Sequence, residues 1–303
     1  MAARIEAVMG TLVTIHVVRD DSAVVEEAMD RAFGWFHEIE ERCTRFSESS
    51  ELMQLSTRVG EAVSASPILF EAIRFALLVA EETEGAFDPT VGREMEMRGF
   101  NRDHRTRHIV QTPLAPAAGV SYRDVELDPA RRTIALGRPL VLDLGAVAKG
   151  FAVDMAAREL LPFEDFAIDA GGDLYLGGRN PAGTPWSVGI RHPRRDHQLI
   201  ETLRVSNAAV CTSGDYERTA ADPRDGHHIL DPRAGASASA IASVTVVAPT
   251  TMAADALATA AFVLGPRDGV QLLERQGVEG LIFSPVLERY ETRGLASAYV
   301  CGR

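Results

Sequence analysis

From residue 164 to the end, the chain is a succession of short β-branched runs between turn clusters, closed by two helical stretches. The runs are FAID (166–169), LYLGG (174–178), WSVGI (186–190), LRVSNAAV (203–210), ASVTVVA (242–248) and GLIF (280–283). Helices are predicted over Thr251–Leu264 and from about Arg267 to Gln276. Strands and helices are mixed without the strict alternation that a doubly wound parallel sheet requires, which points to an α+β fold. The first half agrees. GTLVTIHVV (10–18) reads as a strand followed by the turn-prone RDDS, and Ser22 caps a stripe of Val25, Ala28, Ala32, Trp35, Phe36 and Ile39. A second helix starts at about Ser66 and ends at Gly85, a natural C′ residue. Residues 100–123 are polar and aperiodic and read as a surface excursion. A strand pair near 124–142 is interrupted by DPARR, and a helix follows over 145–161. There is no Pro-, Gly- or Ser-rich linker and no internal repeat, so the 303 residues are read as one α+β domain, 1–303.

Charge and cysteine content narrow the partners. Lys and Arg number 31 against 43 Asp and Glu, a net charge of −12 with no basic block, which argues against nucleic acid or an anionic membrane surface as a ligand. No apolar run approaches the roughly 20 residues needed to cross a bilayer. No export signal or lipid-attachment Cys is visible near the start, so a cytoplasmic location without a direct membrane anchor is expected. Cys43, Cys211 and Cys301 are far apart and outside CxxC spacing, which gives neither a zinc site nor a disulfide framework and leaves buried, idle thiols.

Phosphate-binding GxxxxGK[ST] and GxGxxG signatures are absent, as are HExxH and GxSxG. What remains is a set of polar, glycine-bearing segments. In DLGAVAKGFAVD (143–154), Gly145 opens a helix whose free amides and dipole suit a phosphate, with Lys149 just over one turn in; an ordinary strand-to-helix turn with a solvated Lys is the alternative. In DAGGDLYLGG (169–178), Gly171 and Gly172 stand between Asp169 and Asp173. They either let the backbone approach a flat ring or a phosphate, or they make a tight hairpin. CTSGDYER (211–218) offers a hydroxyl, an exposed N–H and Tyr216 for stacking, or else a surface turn. HHILDPRAG (227–235) is the densest polar cluster, and there His228 is a general-base candidate because imidazole titrates near neutrality. In TTMAADALATAAFVLG (250–265), Asp255 and Thr259 lie four apart on a face otherwise of Ala, Leu and Met. A hard cation such as Mg²⁺ would satisfy both, whereas a cap in the first helical turn would account for Asp255 alone.

Taken in order, MGT (9–11), SSEL with Leu55 (49–55), FDPTVG (87–92), DLGAVAKGFAVD, DAGGDLYLGG, PWSVGIRHP (185–193), TSGDYER (212–218), HILDPRAG (228–235) and SVTVVAPTTMAADALATAAFVLG (243–265) resemble the FAD:protein FMN transferase family, ApbE. The resemblance runs over residues 9–285. It implies a mixed, largely antiparallel sheet packed with helices. It also implies Mg²⁺-dependent (or Mn²⁺-dependent) cleavage of FAD as substrate, with FMN joined to a Thr or Ser hydroxyl of an acceptor flavoprotein and AMP released. A hydrolase yielding FMN and AMP, or a non-catalytic FAD-binding protein, would share the same site.

Position by position, the resemblance makes Asp255 and Thr259 metal ligands, joined by a backbone carbonyl at Ala146. It makes His228 the base, with Lys149 and Asp143 as helpers. It places Met9, Phe46, Gly145, Asp169, Gly171, Gly172, Asp173, Ser213, Gly214 and Asp231 in the cofactor-binding set, Phe46 against the adenine. The chain departs from the family's pattern at Asp169, where Asn is usual, at Ala234 in place of Thr, and at Ser56 in place of Asn.

Overall fold

The computed structural model describes residues 1–19, 22–103, 106, 108–112, 119–217 and 226–299. Parts of the 100–123 excursion and of RDDS, Arg218 of TSGDYER, and Cys301 lie outside the described residues. In chain order the elements are β1 (Ala2–Val8), β2 (Thr11–Val17), α1 (Ala23–Cys43), α2 (Glu51–Ser56), β3 (Ala62–Ser64), α3 (Pro67–Glu82) and α4 (Gly92–Met97). Next come β4 (Val125–Asp128), β5 (Thr133–Leu136), α5 (Gly145–Leu160), β6 (Phe166–Ala170), β7 (Asp173–Gly177), β8 (Trp186–Arg191), β9 (Leu199–Val205) and β10 (Ala208–Gly214). The chain ends with β11 (Leu230–Asp231), β12 (Ala236–Ser237), β13 (Ser243–Ala248), α6 (Thr251–Leu264), α7 (Pro266–Arg275), β14 (Glu279–Phe283), β15 (Arg289–Glu291) and α8 (Leu295–Ala298). The expected α+β class holds. Among the described residues, no helix is long and apolar enough to cross a membrane.

The chain divides into two compact units. One comprises Met1–His37, Lys149–Glu217 and Ser239–Arg303; the other comprises Glu38–Ala148 and Arg218–Ala238. The first is built on an eight-stranded sheet in the order β1-β2-β6-β7-β10-β13-β14-β15, with antiparallel pairing throughout. Buried alternation puts Val13, Ile15 and Val17 of β2 on one face. On the other, the β8–β9 hairpin lays Val188, Ile190, Leu203 and Val205 against Ala167, Leu176, Val210 and Val247. α6 is rich in Ala, a strong helix former, and is apolar on nearly every side, so it is buried almost all round against β10 and β13. The second unit holds the three-stranded β3-β5-β4 sheet with α2, α3 and α4.

Several boundaries differ from the sequence reading, each for a local reason. β1 was not expected as a strand; it exists because Met9 (φ 52°) and Gly10 (φ 77°) form a two-residue turn of the hand that suits a twisted hairpin. LRVSNAAV is two strands rather than one, turned at Ser206 and at Asn207, whose φ is 53°. The strand read through to 142 stops at Leu136, where Gly137 and Pro139 follow. At the end of α3, Thr83 is the C-cap and both Glu84 (φ 51°) and Gly85 (φ 80°) are left-handed, so the left-handed turn starts one residue before Gly85. The Gly85 amide then donates to the Ala80 carbonyl at 2.8 Å, and the Glu84 amide donates to Glu81 at 3.1 Å.

Burial disposes of two thiols as expected. The Cys43 thiol is pushed up to about 12 by burial and by Glu51, and that of Cys211 is raised by burial and by Asp255.

Gly150 fixes how closely α5 approaches α6. A Cβ there would meet the Met252 Cα at 2.6 Å, its amide nitrogen at 2.7 Å and the Thr251 carbonyl carbon at 2.7 Å, all backbone atoms. Gly150→Ala is therefore expected to destabilise the protein by about 1–3 kcal/mol, although Ala is the better helix former by about 1 kcal/mol. Urea denaturation measures this, and an unchanged or raised midpoint would show that the two helices are not in that contact.

Candidate active site

In the first unit, α5 and the start of α6 are tied by one side chain. Asp154 accepts the Thr251 amide at 2.6 Å and the Met252 amide at 3.0 Å, and the Thr250 hydroxyl accepts the Ala253 amide at 3.3 Å. Burial raises the Asp154 carboxyl even against those two amides. The first-turn amides of α6 are thus already satisfied. Asp255 lies a turn further in and is not the cap, which removes the alternative reading of that residue.

Asp255 is 8% exposed, and Asp173, the first residue of β7, is 4% exposed. The Lys149 ammonium contacts the Asp173 carboxylate directly and stands 3.8 Å from Asp255 Oδ2. Two buried carboxylates around one ammonium concentrate negative charge at this point, which a hard cation would offset. One turn on from Asp255, the Thr259 hydroxyl lies 3.4 Å from the Ser213 hydroxyl. The donors gathered here are carboxylate and hydroxyl oxygens, the set that hard divalent cations prefer. Among the described residues, no three His, Cys, Asp or Glu side chains form a metal-holding group by themselves. A hard cation here would therefore complete its shell from hydroxyls, carbonyls, water or substrate phosphate oxygens.

The glycine segments lie at one end of the same sheet. Gly171 and Gly172 (φ 65° and 98°) turn β6 into β7, so the tight-hairpin reading is realised. Asp169 accepts the Gly172 amide at 2.8 Å and so shapes that turn. A Cβ on Gly171 would strike Thr11 Oγ1 at 2.1 Å, which packs this turn beside the Met9–Gly10 turn, whereas a Cβ on Gly172 would meet nothing within 4 Å. Ser213 and Gly214 close β10, the antiparallel neighbour of β7, and so reach the same end. Tyr216 is spent on packing: its ring lies where a Gly214 side chain would be, with Arg191 over it at 5.3 Å.

In the second unit, Asp143 orders the start of α5. One oxygen accepts the Gly145 amide at 2.7 Å and the other accepts Arg45 Nε at 2.6 Å, so Asp143 orients and anchors. Ala146 is the next residue of α5 after Gly145. Arg45 also donates to the Phe100 carbonyl and lies 4.3 Å over the ring of Phe46, leaving Phe46 one covered and one outer face. Phe100 in turn meets His228 edge-on, ring centres 6.4 Å apart.

The adjacent histidines separate cleanly. His227 is buried, its Nδ1 accepting the Ile229 amide at 3.2 Å and its Nε2 lying 2.7 Å from the Ala238 carbonyl, which fixes a neutral tautomer with a structural task. His228 is half-buried and meets the ring of Phe100 edge-on. Asp231 organises the following turn. Burial pushes its carboxyl up, but hydrogen bonds from Arg233 outweigh this and hold it below the ordinary value.

Arg45, Phe100 and Asp154 are absent from the sequence-derived set. Arg45 sits one residue before Phe46 and carried no pattern of its own. Phe100 opened a stretch read as surface. Asp154 closes a motif that was singled out, and its spacing from Lys149 was the available signal. Two further motifs prove architectural: Glu51 of SSEL accepts the Ser66 amide and hydroxyl at 2.6 Å each, and Asp88 of FDPTVG accepts from Thr90 and from the Tyr122 amide.

The sequence pattern of the ApbE family matches residues 9–282. The protein named FAD:protein FMN transferase from Treponema pallidum is 33% identical over 310 residues, 93% of this chain and 84% of the relative. The Haemophilus influenzae protein of the same name is 28% identical, covering 89% of this chain and 82% of its own. Among solved structures, the ApbE protein of Thermotoga maritima superposes with a TM-score of 0.84 at 30% identity, covering 96% of this chain and 97% of its own. The flavin transferase ApbE of Vibrio cholerae also reaches 0.84, at 23% identity over 98% of each chain, a likeness of fold. A mixed α+β chain with a buried, charge-rich oxygen cluster is thus matched along nearly its whole length by one group of transferases. The chain belongs to the ApbE family of transferase enzymes.

Proposed function

We propose that this protein transfers FMN from FAD to the hydroxyl of a Thr or Ser in an acceptor flavoprotein and releases AMP. The observation that carries this reading is the cluster of the buried Asp173 and Asp255 carboxylates around the Lys149 ammonium, beside the Thr259 and Ser213 hydroxyls. Names of relatives across most of the chain support it. Asp255 and Thr259 would hold Mg²⁺ (Mn²⁺ is its chemical alternative), which would supply neutralisation of phosphate charge and polarisation of the phosphorus centre. The acceptor oxygen forms a bond to the FMN phosphorus as the bond to the AMP oxygen breaks, and AMP leaves with that oxygen. His228 takes the hydroxyl proton. Lys149 faces the phosphate charge from a half-buried position, where an ammonium is worth more than it is in water. The open backbone at Gly172 and the Met9–Gly10 turn beside it provide the close approach a flat flavin needs, and the outer face of Phe46 suits the adenine.

The test is mass spectrometry of a Thr-containing acceptor domain after incubation with the protein, FAD and Mg²⁺, beside a sample without metal. An adduct equal to FMN less water, formed only with metal, is the expected result. AMP and free FMN with no adduct on any acceptor would replace transfer by hydrolysis, and FAD left intact under all conditions would overturn both.

A further inference from the structure

β1 is the first strand in the order of the large sheet, and no described strand pairs along its outer side. Its partner β2 follows through the two-residue turn, so Val8 and Thr11 form the closing hydrogen-bonded pair and alternation assigns the rest. Ala2, Arg4, Glu6 and Val8 bond inward to β2, while the N–H and C=O groups of Ala3, Ile5 and Ala7 point outward. Strand edges are ordinarily protected by charged side chains, Lys above all, by Pro or by a bulge. AARIEAV has no Lys and no Pro, and its register with β2 runs unbroken over the whole strand. Its two charges are of opposite sign: Arg4 and Glu6 lie on the helix-facing side, 2.6 Å apart, with Arg4 also bonded to Asp30 and Glu6 3.1 Å from His37. On the opposite side, Ile5 and Leu12 are 62% and 63% exposed.

We propose that β1 is a homodimerisation edge, pairing antiparallel with β1 of a second copy about a twofold axis at Ile5. In that register Ala3 faces the second copy's Ala7 and Ile5 faces its own copy, so every outward N–H and C=O of Ala3, Ile5 and Ala7 finds a partner. Arg4 then stands opposite the second copy's Glu6 and Glu6 opposite its Arg4, two opposite-charge cross-strand pairs of the kind that stabilise sheets. The sequence is its own complement in charge about that axis, a property an edge evolved only to repel copies would lack. The exposed Ile5 and Leu12 of both copies come together on the other face, and the two sheets become continuous. The contact is self-complementary and closed, as a twofold interface requires.

Sedimentation velocity from about 1 µM to about 1 mM covers the window in which an interface this small assembles. The wild-type mass is expected to double across it. Arg4→Glu alone and Glu6→Arg alone place like charges opposite each other and should stay at monomer mass. An equimolar mixture of the two should double, because each then presents what the other lacks. Ile5→Lys, at a solvent-exposed position on the axis, should also stay monomeric with an unchanged melting temperature. A wild-type chain that remains monomeric, single variants that dimerise as the wild type does, or a mixture that fails to dimerise would each overturn the assignment. So would a monomeric chain whose Ala3, Ile5 and Ala7 amides gain exchange protection only on adding an acceptor flavoprotein, which would give the edge to the acceptor instead.

Discussion

Asp255→Ala is expected to abolish metal-dependent cleavage of FAD while leaving the folded protein intact. Losing one buried hard ligand and its charge removes several kcal/mol of stabilisation from the phosphoryl-transfer step, a fall of roughly 10²–10⁴ in kcat or more. The fold should survive because Asp255 does not cap α6; Asp154 and Thr250 do. Its removal also leaves the Lys149–Asp173 ion pair in place, so the melting temperature should hold. Asp255→Asn, which keeps the volume and loses the charge, should fail catalytically to nearly the same extent. Steady-state FAD cleavage against Mg²⁺ concentration, with thermal melts of each variant, separates the effects. Wild-type rates with an unchanged metal dependence would sink the ligand assignment.

His228→Ala should slow FMN transfer by roughly 10²–10⁴-fold with FAD affinity retained, because the lost group acts on the acceptor's proton. The neighbouring substitution makes the control. His227→Ala removes the partner of the Ile229 amide and of the Ala238 carbonyl, so it should cost about 1–3 kcal/mol of stability for each group left unsatisfied and leave the form of the pH profile unchanged. If both variants lose rate in proportion to lost stability, His228 is a structural residue and the base lies elsewhere.

Local chemistry was what the sequence displayed best. α3 starts at Ser66 as read, the Ser66 hydroxyl accepting the Leu69 amide at 3.2 Å, and α6 begins at Thr251 and ends before Gly265 as read. These features depend on neighbours a few residues away. The choice between two readings of one residue depended on distant partners and stayed closed to inspection. Whether Asp255 caps α6 turned on Asp154, far back in the chain, and the structural task of His227 turned on the carbonyl of Ala238. The pairing of Lys149 with Asp173 was likewise invisible, since nothing in either segment names the other. At the end of α3 residue preference reached only part of the answer: Gly85 is left-handed as a glycine there suits, but the bonds to Ala80 and Glu81 hold Glu84 left-handed as well.

The Asp154 carboxylate joins residues 97 positions apart in the chain when it meets the Thr251 amide. Contacts of such separation form only after a large loss of chain freedom, and they slow folding in proportion to how non-local they are. α6 carries Asp255 and Thr259, and its amino end is seated by the helix that carries Lys149. The oxygen cluster is therefore expected to be among the last parts of the protein to assemble. A nascent or partly folded chain would then present neither a binding site for FAD nor a concentrated negative charge to capture metal, and ligand binding would report completed folding rather than guide it.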